Sequence, residues 1–489
     1  MLKKILSLLA DVMTYGVSSL LSQVIGVLLL PLYTWYLTPA DQWQIAMLAL
    51  VGVAFGPLGH LGMTAAVFRR FSLAKTDQER GEAMSTALSS VVFASLVAAA
   101  LGCLAAGEIS RLIVGDTSIA NLVRLTLLGA AATTIGAVPM AVLRAGRRVK
   151  TAAAINVAKL LITVCTTIWL VVFLGWGVRG VVVGVLAGEA ALCVVQFAIT
   201  AHAFRYTPSL TTWKGMAAYG LPFVPHHLQG LVMICFAQYW VGRMMGETEG
   251  GLYSFAIKLT TPIVFVVNAV QNAWVAYKFE IHANDEDPAS FFRTAVTYYV
   301  AGILYLWVGV SLWGPEVIWL LTNPSYEASA WLVPAAAVIP VSQGFYYMFG
   351  TGIELTDNTR PVPLISLAGL ITTVACSLLL VPRLGAIGAA ASTAAAWLAM
   401  AVTVYTFSQR RFAIPYDWTA IASLVVLALL AVGVGYSSLT LSAGPRLTVA
   451  VVVSILFPLI EFAVLYRSES ERHRMHLLLT KVRLVPSSR

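Results

Sequence analysis

The chain has 489 residues, of which 59% are hydrophobic and 11% charged, and its mean hydropathy is +0.83. So small a polar fraction cannot cover a soluble globule of this size, so we predict an all-α, polytopic membrane protein. The net charge of +9 does not indicate nucleic-acid binding, because the basic residues are spread over several separate connections rather than gathered in one domain.

The chain begins with a short apolar run that follows Lys3 and Lys4 and is interrupted by Asp11. No small-residue cleavage signal follows it, so no cleaved signal peptide is expected. Further on, apolar runs near the ~20 residues of a spanning helix recur along the chain, which predicts about fourteen transmembrane helices. The first two, near 12–36 and 43–68, form a helical hairpin around a short polar hinge.

Lys and Arg are divided unequally between alternate connections, and this predicts the orientation. One set of connections contains most of them, including Lys278, and the opposite set contains only Arg111, Arg179, Arg243, Arg383 and Arg446. Basic connections stay in the cytoplasm, so both termini are predicted to be cytoplasmic in a bacterial inner membrane.

The second half of the chain repeats the first. Phe71 matches Phe279 and Gly180 matches Gly388, both at an offset of about 208 residues, and two further matches lie close to that offset. The repeat predicts two parallel six-helix lobes around a central cleft. The predicted domains are therefore an N-terminal lobe, a C-terminal lobe, two additional helices and a basic cytoplasmic tail, at 1–204, 205–411, 412–466 and 467–489. The tail suits either an amphipathic segment on anionic lipid or a solvated segment.

The soluble segments contain no pattern typical of an enzyme. They have no nucleophile elbow, phosphate-binding glycine loop or paired catalytic carboxylate, and the longest is too short to form a domain. The five cysteines all lie in apolar runs, without paired spacing or nearby histidines, so neither disulfides nor a metal site is expected. We expect no cofactor and no enzymatic activity.

Three stretches carry a family resemblance: LLPLYTWYLTPA at 29–40, AVFRRF at 66–71 and GLYSFAIKL at 251–259. They resemble the polysaccharide transporter family of the multidrug/oligosaccharidyl-lipid/polysaccharide exporter superfamily, which includes the Wzx-like flippases of lipid-linked sugar units. The resemblance covers nearly the whole chain. After Pro39, however, the family usually has an acidic residue and a glycine before the second helix, whereas this chain has Ala40, Asp41, Gln42 and Trp43.

Three charges inside predicted helices have no charged counterpart in the other copy of the repeat: Lys159, Glu189 and Lys258. Each costs about 3 kcal/mol on insertion scales, so each requires a partner or a function. Lys159 and Lys258 are predicted near opposite mouths of the cleft, where they would receive a diphosphate or an acidic sugar in turn. The alternative for Lys159 is a structural pair with Glu189, although counting the helix rise separates their depths by about 10 Å.

A second group of predicted cleft residues is polar: Gln23, His60, His226, His227, Asn268 and Asn272. Gln23 coincides with His227 under the repeat and His60 coincides with Asn268, which favours equivalent polar faces for binding sugar hydroxyls. Hydrogen bonds between helices, worth about 0.6 kcal/mol on average, are the alternative.

Two further features concern movement and gating. Pro222 and Pro225 are expected to kink the helix that carries His226 and His227. A cytoplasmic gate is assigned to Arg69 and Arg70.

The resemblance and the predicted cationic cleft imply a flippase for a polyprenyl-diphosphate-linked oligosaccharide in cell-surface or exopolysaccharide synthesis. It would act from the cytoplasmic to the periplasmic leaflet by alternating access. A potential of 100 mV would assist the export of two negative charges by up to ~4.6 kcal/mol, so coupling to the potential or to an ion gradient is left open. The expected partners are the lipid-linked substrate, membrane lipid and, as an open option, a polysaccharide polymerase with other synthesis proteins.

Three other functions stay open. They are a cation-coupled multidrug exporter, a peptidoglycan-precursor flippase of the same superfamily, and a non-transporting scaffold of a glycan-synthesis complex. An exporter of cationic drugs would need embedded carboxylates, and the first two helices of each lobe have none in their membrane spans. Peptidoglycan-precursor flippases carry arginines in the first helix, and this chain has none there.

Overall fold

The computed structural model describes residues 30–63, 66–67, 70, 74, 76–145, 148–204, 206–221, 223–284, 287–356 and 361–466. Every regular element in these ranges is helical, and the predicted all-α membrane fold is confirmed. Gln23, Arg69, Pro222 and the tail at 467–489 lie outside the described residues. The side chains of His226 and His227 also lie outside them, although the backbone there is helical.

The first of two compact units contains the described residues of Met1–Phe255, Leu321–Tyr326 and Ser366–Ala396. The helices of this unit are α1 (Leu30–Tyr36), α2 (Pro39–His60), α3 (Asp77–Leu104), α4 (Ala106–Val114), α5 (Ala120–Ala145), α6 (Val149–Ile168), α7 (Gly177–Thr200), α8 (Leu210–Gly220), α9 (Phe223–Met245), the first part of α10 (Glu247–Leu259) and the middle of α15 (Val362–Gln409). A π-helical turn at Trp169–Phe173 continues α6, and a short 3-10 turn at Ala201–Phe204 follows α7.

The second unit contains the described residues of Ala256–Leu320, Glu327–Ile365 and Trp397–Arg489. A 3-10 segment, Pro324–Trp331, precedes α13. Besides the end of α10, the helices of this unit are α11 (Thr261–Asn284), α12 (Pro288–Leu321), α13 (Val333–Phe349), α14 (Thr351–Leu355), the two ends of α15 (Val362–Gln409), α16 (Trp418–Ser438) and α17 (Ala443–Tyr466).

Nine helices of the described part are long and apolar enough to span a bilayer, or eleven when each of two bent pairs counts as one span. The longest, α15, has 48 residues and would be about 72 Å long if straight, more than twice the hydrocarbon thickness. Its backbone is interrupted at Gly385, where φ is 58° and ψ is −135°. The sequence predicts two separate spans here, near 361–381 and 385–408. The chain is a multi-pass membrane protein, and the count of fourteen helices stays a prediction.

The polar hinge predicted between the first two helices determines where α2 begins. Thr38 is the N-cap: its Oγ1 accepts a hydrogen bond from Asp41 N at 3.2 Å, and Asp41 Oδ2 accepts one from Thr38 N at 2.8 Å. Trp43 is 1% exposed and fits against Gly242 and Gly250, where any Cβ would overlap the indole. These contacts fix the start of α2, and therefore the depth of the residues further along it.

Helix α7 packs against α5 and α6 more extensively than any other two helices pack together in the described part. Gly180, Gly184 and Gly188 recur every fourth residue along α7. A Cβ at Gly184 or Gly188 would overlap the hydroxyl of Thr167 or Thr163 on α6. Small residues allow helices to approach closely in lipid, and these glycines let α7 lie close to α6.

Candidate functional site

A cavity of about 580 Å³, here called the charged cavity, lies among α2, α5, α6 and α7 of the first unit. Its volume is within the range of about 300–1,000 Å³ typical of small-molecule sites. It reaches the middle of α7, which carries Glu189. The polar residues that line it are His60, Thr133, Asn156, Lys159, Glu189 and Gln196.

Lys159 and Glu189 form an ion pair in this cavity. The Lys159 Nζ contacts Glu189 Oε1, and the two side chains are 31% and 10% exposed. The neighbouring Gly188 keeps α7 close to α6, since a Cβ there would lie 3.2 Å from the Lys159 carbonyl oxygen. The structure therefore shows the pairing that was the alternative for Lys159. The depth difference inferred from the helix rise did not include helix tilt or the reach of the lysine side chain.

The charged cavity also contains two hydrogen-bond acceptors that are not used within the described residues. Glu189 Oε2 and Gln196 Oε1 are buried and have no hydrogen-bond partner there. Gln196 is 2% exposed, and Gly136 on α5 leaves room for its amide oxygen, since a Cβ at this glycine would lie 2.5 Å from it. A buried acceptor without a donor costs about 1–3 kcal/mol, so both oxygens mark positions suited to a donor.

His60, a predicted cleft residue, ends α2 and lines the charged cavity. Its Nδ1 accepts a hydrogen bond from Gly62 N at 3.0 Å. Leu61 and Gly62 have positive φ values of 49° and 70°, and a Cβ at Gly62 would overlap the backbone of Gly220. His60 therefore stabilises the sharp turn after α2 as well as contributing to the cavity wall.

Asn156 and Gln196 also line the charged cavity, although neither was predicted from the sequence. Asn156 lies three residues before Lys159, and Gln196 lies seven residues after Glu189. Both spacings place the polar residue on the same helix face as the charged one. This periodicity within otherwise apolar helices was a signal from which both residues could have been identified.

A second cavity, of about 410 Å³, adjoins the charged cavity along α2, α5 and α7 and is lined mostly by apolar side chains. Thr133 and Glu189 line both cavities. Glu189 therefore lies at the boundary between a polar and an apolar compartment of the first unit.

All five cysteines are free thiols with some exposure, and Cys193 is the one that lines the charged cavity. In the part of the chain that the structure describes, no three His, Cys, Asp or Glu side chains gather as metal ligands would. The polar chemistry of the cavity therefore comes from its ion pair and its amides. Cys193 is a native thiol through which the cavity can be probed chemically.

Arg70, one of the two predicted gate residues, lines a different cavity of about 490 Å³ together with Glu79 and Glu82. Thr212 of α8 donates a hydrogen bond from Oγ1 to Glu82 Oε1 at 2.6 Å. Gly215 leaves room for the guanidinium, since a Cβ there would lie 2.7 Å from Arg70 Nη2. Arg70 therefore lies with two carboxylates and α8. It does not line the charged cavity.

Lys258 belongs to the second unit and lies at the break between α10 and α11, which are bent by 47°. Pro262 has no N–H to bond the Lys258 carbonyl, and Thr261 Oγ1 donates to that carbonyl instead, at 2.5 Å. The predicted cationic residue therefore marks a broken span.

The predicted cleft residues Asn268 and Asn272 are also in the second unit. Both are exposed on α11 and are four residues apart, so they share one face of the helix. Ile263 and Val267, 0% and 1% exposed, lie on its buried side. The two asparagines therefore share one exposed face of α11, and neither lies in the wall of the charged cavity.

A second embedded ion pair joins Lys278 of α11 to Glu354 of α14 in the second unit. Lys278 is 2% exposed, whereas the Glu354 side chain is 47% exposed, and the lysine Nζ lies 5.4 Å from the Phe279 ring centroid. Trp274 Nε1 donates to Thr351 Oγ1 at 2.9 Å, a second link between the two helices. Lys278 was counted with the residues of a cytoplasmic connection, and the structure places it as a buried residue near the end of α11.

The two additional helices, α16 and α17, are attached to α12 near both of its ends. Arg293 Nη2 lies 3.2 Å from Asp417 Oδ2. Arg446 Nη2 donates to Glu316 Oε2 at 3.1 Å, and its Cζ lies 3.6 Å from the Trp319 ring centroid. The two attachment points on α12 are about 35 Å apart at the helical rise, close to the thickness of a bilayer core. Helices α16 and α17 are therefore attached to α12 at two points that are about one bilayer core apart.

Comparison of the sequence with protein families gives one match. The profile described as "Polysaccharide biosynthesis protein" matches residues 35–331, which is more than half of the chain. The comparison with curated proteins gave no match.

Several solved structures share the fold at low sequence identity. An inward-facing multidrug resistance MATE family transporter of the MOP superfamily has a TM-score of 0.63 and 17% identity, and covers 81% of this chain and 94% of its own. A MOP superfamily transporter from Pyrococcus furiosus has a TM-score of 0.59 and 15% identity, covering 82% and 95%. The lipid II flippase MurJ, in an inward closed conformation, has a TM-score of 0.63 and 15% identity, covering 93% and 98%.

Proposed function

Because the chain belongs to the polysaccharide biosynthesis protein family and has the fold of MOP superfamily transporters, we propose that it is a flippase. In this proposal it moves a polyprenyl-diphosphate-linked oligosaccharide from the cytoplasmic to the periplasmic leaflet by alternating access. The observation that carries the proposal is the charged cavity, in which an ion pair and two amides lie within apolar helices. Embedded charges are costly in a membrane, and those that line a cavity indicate a ligand path.

The substrate has two polar parts that need shelter from the lipid, the sugars and the diphosphate. Lys159 offers hydrogen-bond donors, and Glu189 and Gln196 offer acceptors, as sugar hydroxyls require. For the diphosphate we keep Lys258, because broken helices in transporters commonly lie at substrate sites. An ammonium on a flexible stem neutralises phosphate without demanding one geometry.

The direction of transport follows from the charge of the substrate and the membrane potential. Each negative charge that moves outward gains about 2.3 kcal/mol per 100 mV when the inside is negative. We place the protein in the bacterial inner membrane with both termini in the cytoplasm, in agreement with the distribution of Lys and Arg along the chain. In this orientation no ATPase is required to bias the export.

A cation-coupled multidrug exporter is the second candidate, since a MATE family transporter shares the fold. An exporter of cationic drugs requires a carboxylate that is free to bind a cation. The embedded carboxylate of the charged cavity, Glu189, is already paired with Lys159. This pairing favours the flippase, and the MurJ structure also covers a larger share of this chain than the MATE structure does.

Reconstitution tests the proposal directly. Purified protein is placed in liposomes that contain a fluorescent polyprenyl-diphosphate oligosaccharide, and a soluble glycosidase digests only the sugars exposed on the outer leaflet. We expect the protein to make the inner-leaflet pool digestible over time, whereas empty liposomes protect it. Export of a cationic dye with no movement of the lipid-linked sugar would instead support the exporter.

A further inference from the structure

We propose that the charged cavity binds an uncharged, hydroxyl-rich sugar unit and discriminates against acidic sugars and phosphates. The inference rests on the proposed function, and it specifies which part of the substrate this cavity takes. It replaces the role that the sequence analysis expected for Lys159, which was to receive a diphosphate or an acidic sugar.

The charges of the cavity oppose an ionic ligand of either sign. Lys159 and Glu189 are the only Lys, Arg, Asp or Glu among the described residues that line it, and they form a pair. An anion attracted to Lys159 would also meet the Glu189 carboxylate, and a cation attracted to Glu189 would meet the Lys159 ammonium. An uncharged ligand avoids both repulsions.

The unused acceptors define the chemistry of that ligand more closely. Glu189 Oε2 and Gln196 Oε1 are buried and lack a hydrogen-bond partner among the described residues. A sugar hydroxyl both donates and accepts, so one hydroxyl can donate to Glu189 while it accepts from Lys159. An ionised phosphate, or the ionised carboxylate of a uronic acid, presents acceptors only and satisfies neither oxygen.

The rest of the wall suits the carbon framework of a sugar ring. Met140, Leu192 and several alanines line the same cavity, and the apolar cavity begins at Thr133 and Glu189. A pyranose ring has hydroxyls around its edge and C–H groups on its faces. The cavity offers both kinds of surface within a volume of about 580 Å³.

Cys193 allows the proposal to be tested without a transport assay, because it lines the cavity and is partly exposed. In a full-length variant, Cys103, Cys165, Cys235 and Cys376 are replaced by serine. The rate of alkylation of Cys193 by N-ethylmaleimide is measured by mass spectrometry with N-acetylglucosamine, glucuronic acid or inorganic pyrophosphate at equal concentrations. We expect N-acetylglucosamine to slow the alkylation at least threefold and the two anions to leave it unchanged. Stronger protection by either anion, or no protection by N-acetylglucosamine, would overturn the proposal.

Two substitutions in the same background identify the groups involved. Glu189→Gln leaves Lys159 as an unpaired cation, so glucuronic acid should now protect Cys193. Adding Lys159→Met to Glu189→Gln should abolish this new protection. Glu108→Gln serves as the matched control, because its carboxylate is 74% exposed in a surface pair with Arg111 and should change nothing. Protection by glucuronic acid that stays absent in a folded Glu189→Gln protein would contradict the assigned role of the pair.

The outcome is separable from that of the proposed function. A protein that flips the lipid-linked oligosaccharide but shows the same Cys193 protection with all three probes would overturn the sugar site and leave the flippase intact. Protection by N-acetylglucosamine in a protein that moves no lipid-linked substrate would support the sugar site and reject the flippase.

Discussion

Two lysine–glutamate ion pairs in the described part of this protein have similar chemistry and different surroundings. In the open pair, Lys159 is 31% exposed, contacts Glu189 and lines a cavity in the first unit. In the enclosed pair, Lys278 is 2% exposed and contacts Glu354 in the second unit. A lysine that faces a cavity keeps hydrogen-bond donors available to a ligand, whereas an enclosed lysine uses its donors to hold two helices together. An embedded charge therefore indicates function only when a ligand can reach it.

The enclosed pair should give the largest effect on stability. Glu354→Ala leaves Lys278 buried without its carboxylate, a change that costs about 3–5 kcal/mol in buried pairs. We expect the lower end of that range, because the Glu354 side chain is 47% exposed and partly screened by solvent. Thermal unfolding in detergent measures the effect, with the surface pair variant Glu108→Ala as the control. Equal melting temperatures of the two variants would show that the enclosed pair contributes nothing to stability.

Lys258 extends the comparison of embedded lysines, because it lies at a broken span and belongs to neither of the two ion pairs. Lys258→Ala should reduce surface glycan at least tenfold without changing the amount of protein in the membrane, since a hydrogen bond to a charged group contributes about 1.5–3 kcal/mol. Glycan immunoblots of a deletion strain carrying the variant check this.

The control for that experiment is Lys150→Ala, which removes an exposed lysine at the start of α6. We expect normal glycan from this control. Normal glycan from a double Lys159→Ala, Lys258→Ala variant would favour the non-transporting scaffold over the flippase.

Helix packing beside the open pair should give a smaller effect. In Gly188→Ala the added Cβ meets Thr163 and must push α7 away from α6, and such overpacking costs about 1–3 kcal/mol. Gly433→Ala in α16 has open space around its Cβ and should change stability little or raise it slightly. Thermal unfolding compares the two variants. An equal loss of stability in both variants would mean that the close packing of α7 against α6 is not the cause of the effect at Gly188.

Much of the fold was predictable because it depends on local sequence. The apolar runs indicated membrane-spanning helices, and the break at Gly385 separates two runs that were predicted as two helices. The second helix was predicted from about 43, and α2 begins four residues earlier, at Pro39, because Thr38 and Asp41 cap it. Features of this kind need only the neighbouring residues and the length of a bilayer core.

The site was less predictable because it depends on contacts between distant residues. Lys278 follows a long apolar run and looks like an interfacial lysine, and nothing nearby in the sequence points to Glu354 as its partner. Lys159 and Glu189 were assigned to different depths, because a count of the helix rise contains no tilt and no side-chain length. Only the packed helices show that the open pair faces a cavity.

The central claim is that the open pair binds substrate and the enclosed pair does not. The most direct measurement is the flipping rate per folded molecule of Lys159→Met and Lys278→Met in the same liposomes, with equal amounts of folded protein confirmed by thermal unfolding. We predict that Lys159→Met slows flipping by about 10- to 100-fold, as expected for a lost charged hydrogen bond. Lys278→Met should keep the rate of the unmodified protein, because it replaces a buried charge with an apolar side chain and leaves Glu354 in contact with solvent. Loss of flipping in Lys278→Met with a normal rate in Lys159→Met would contradict the account.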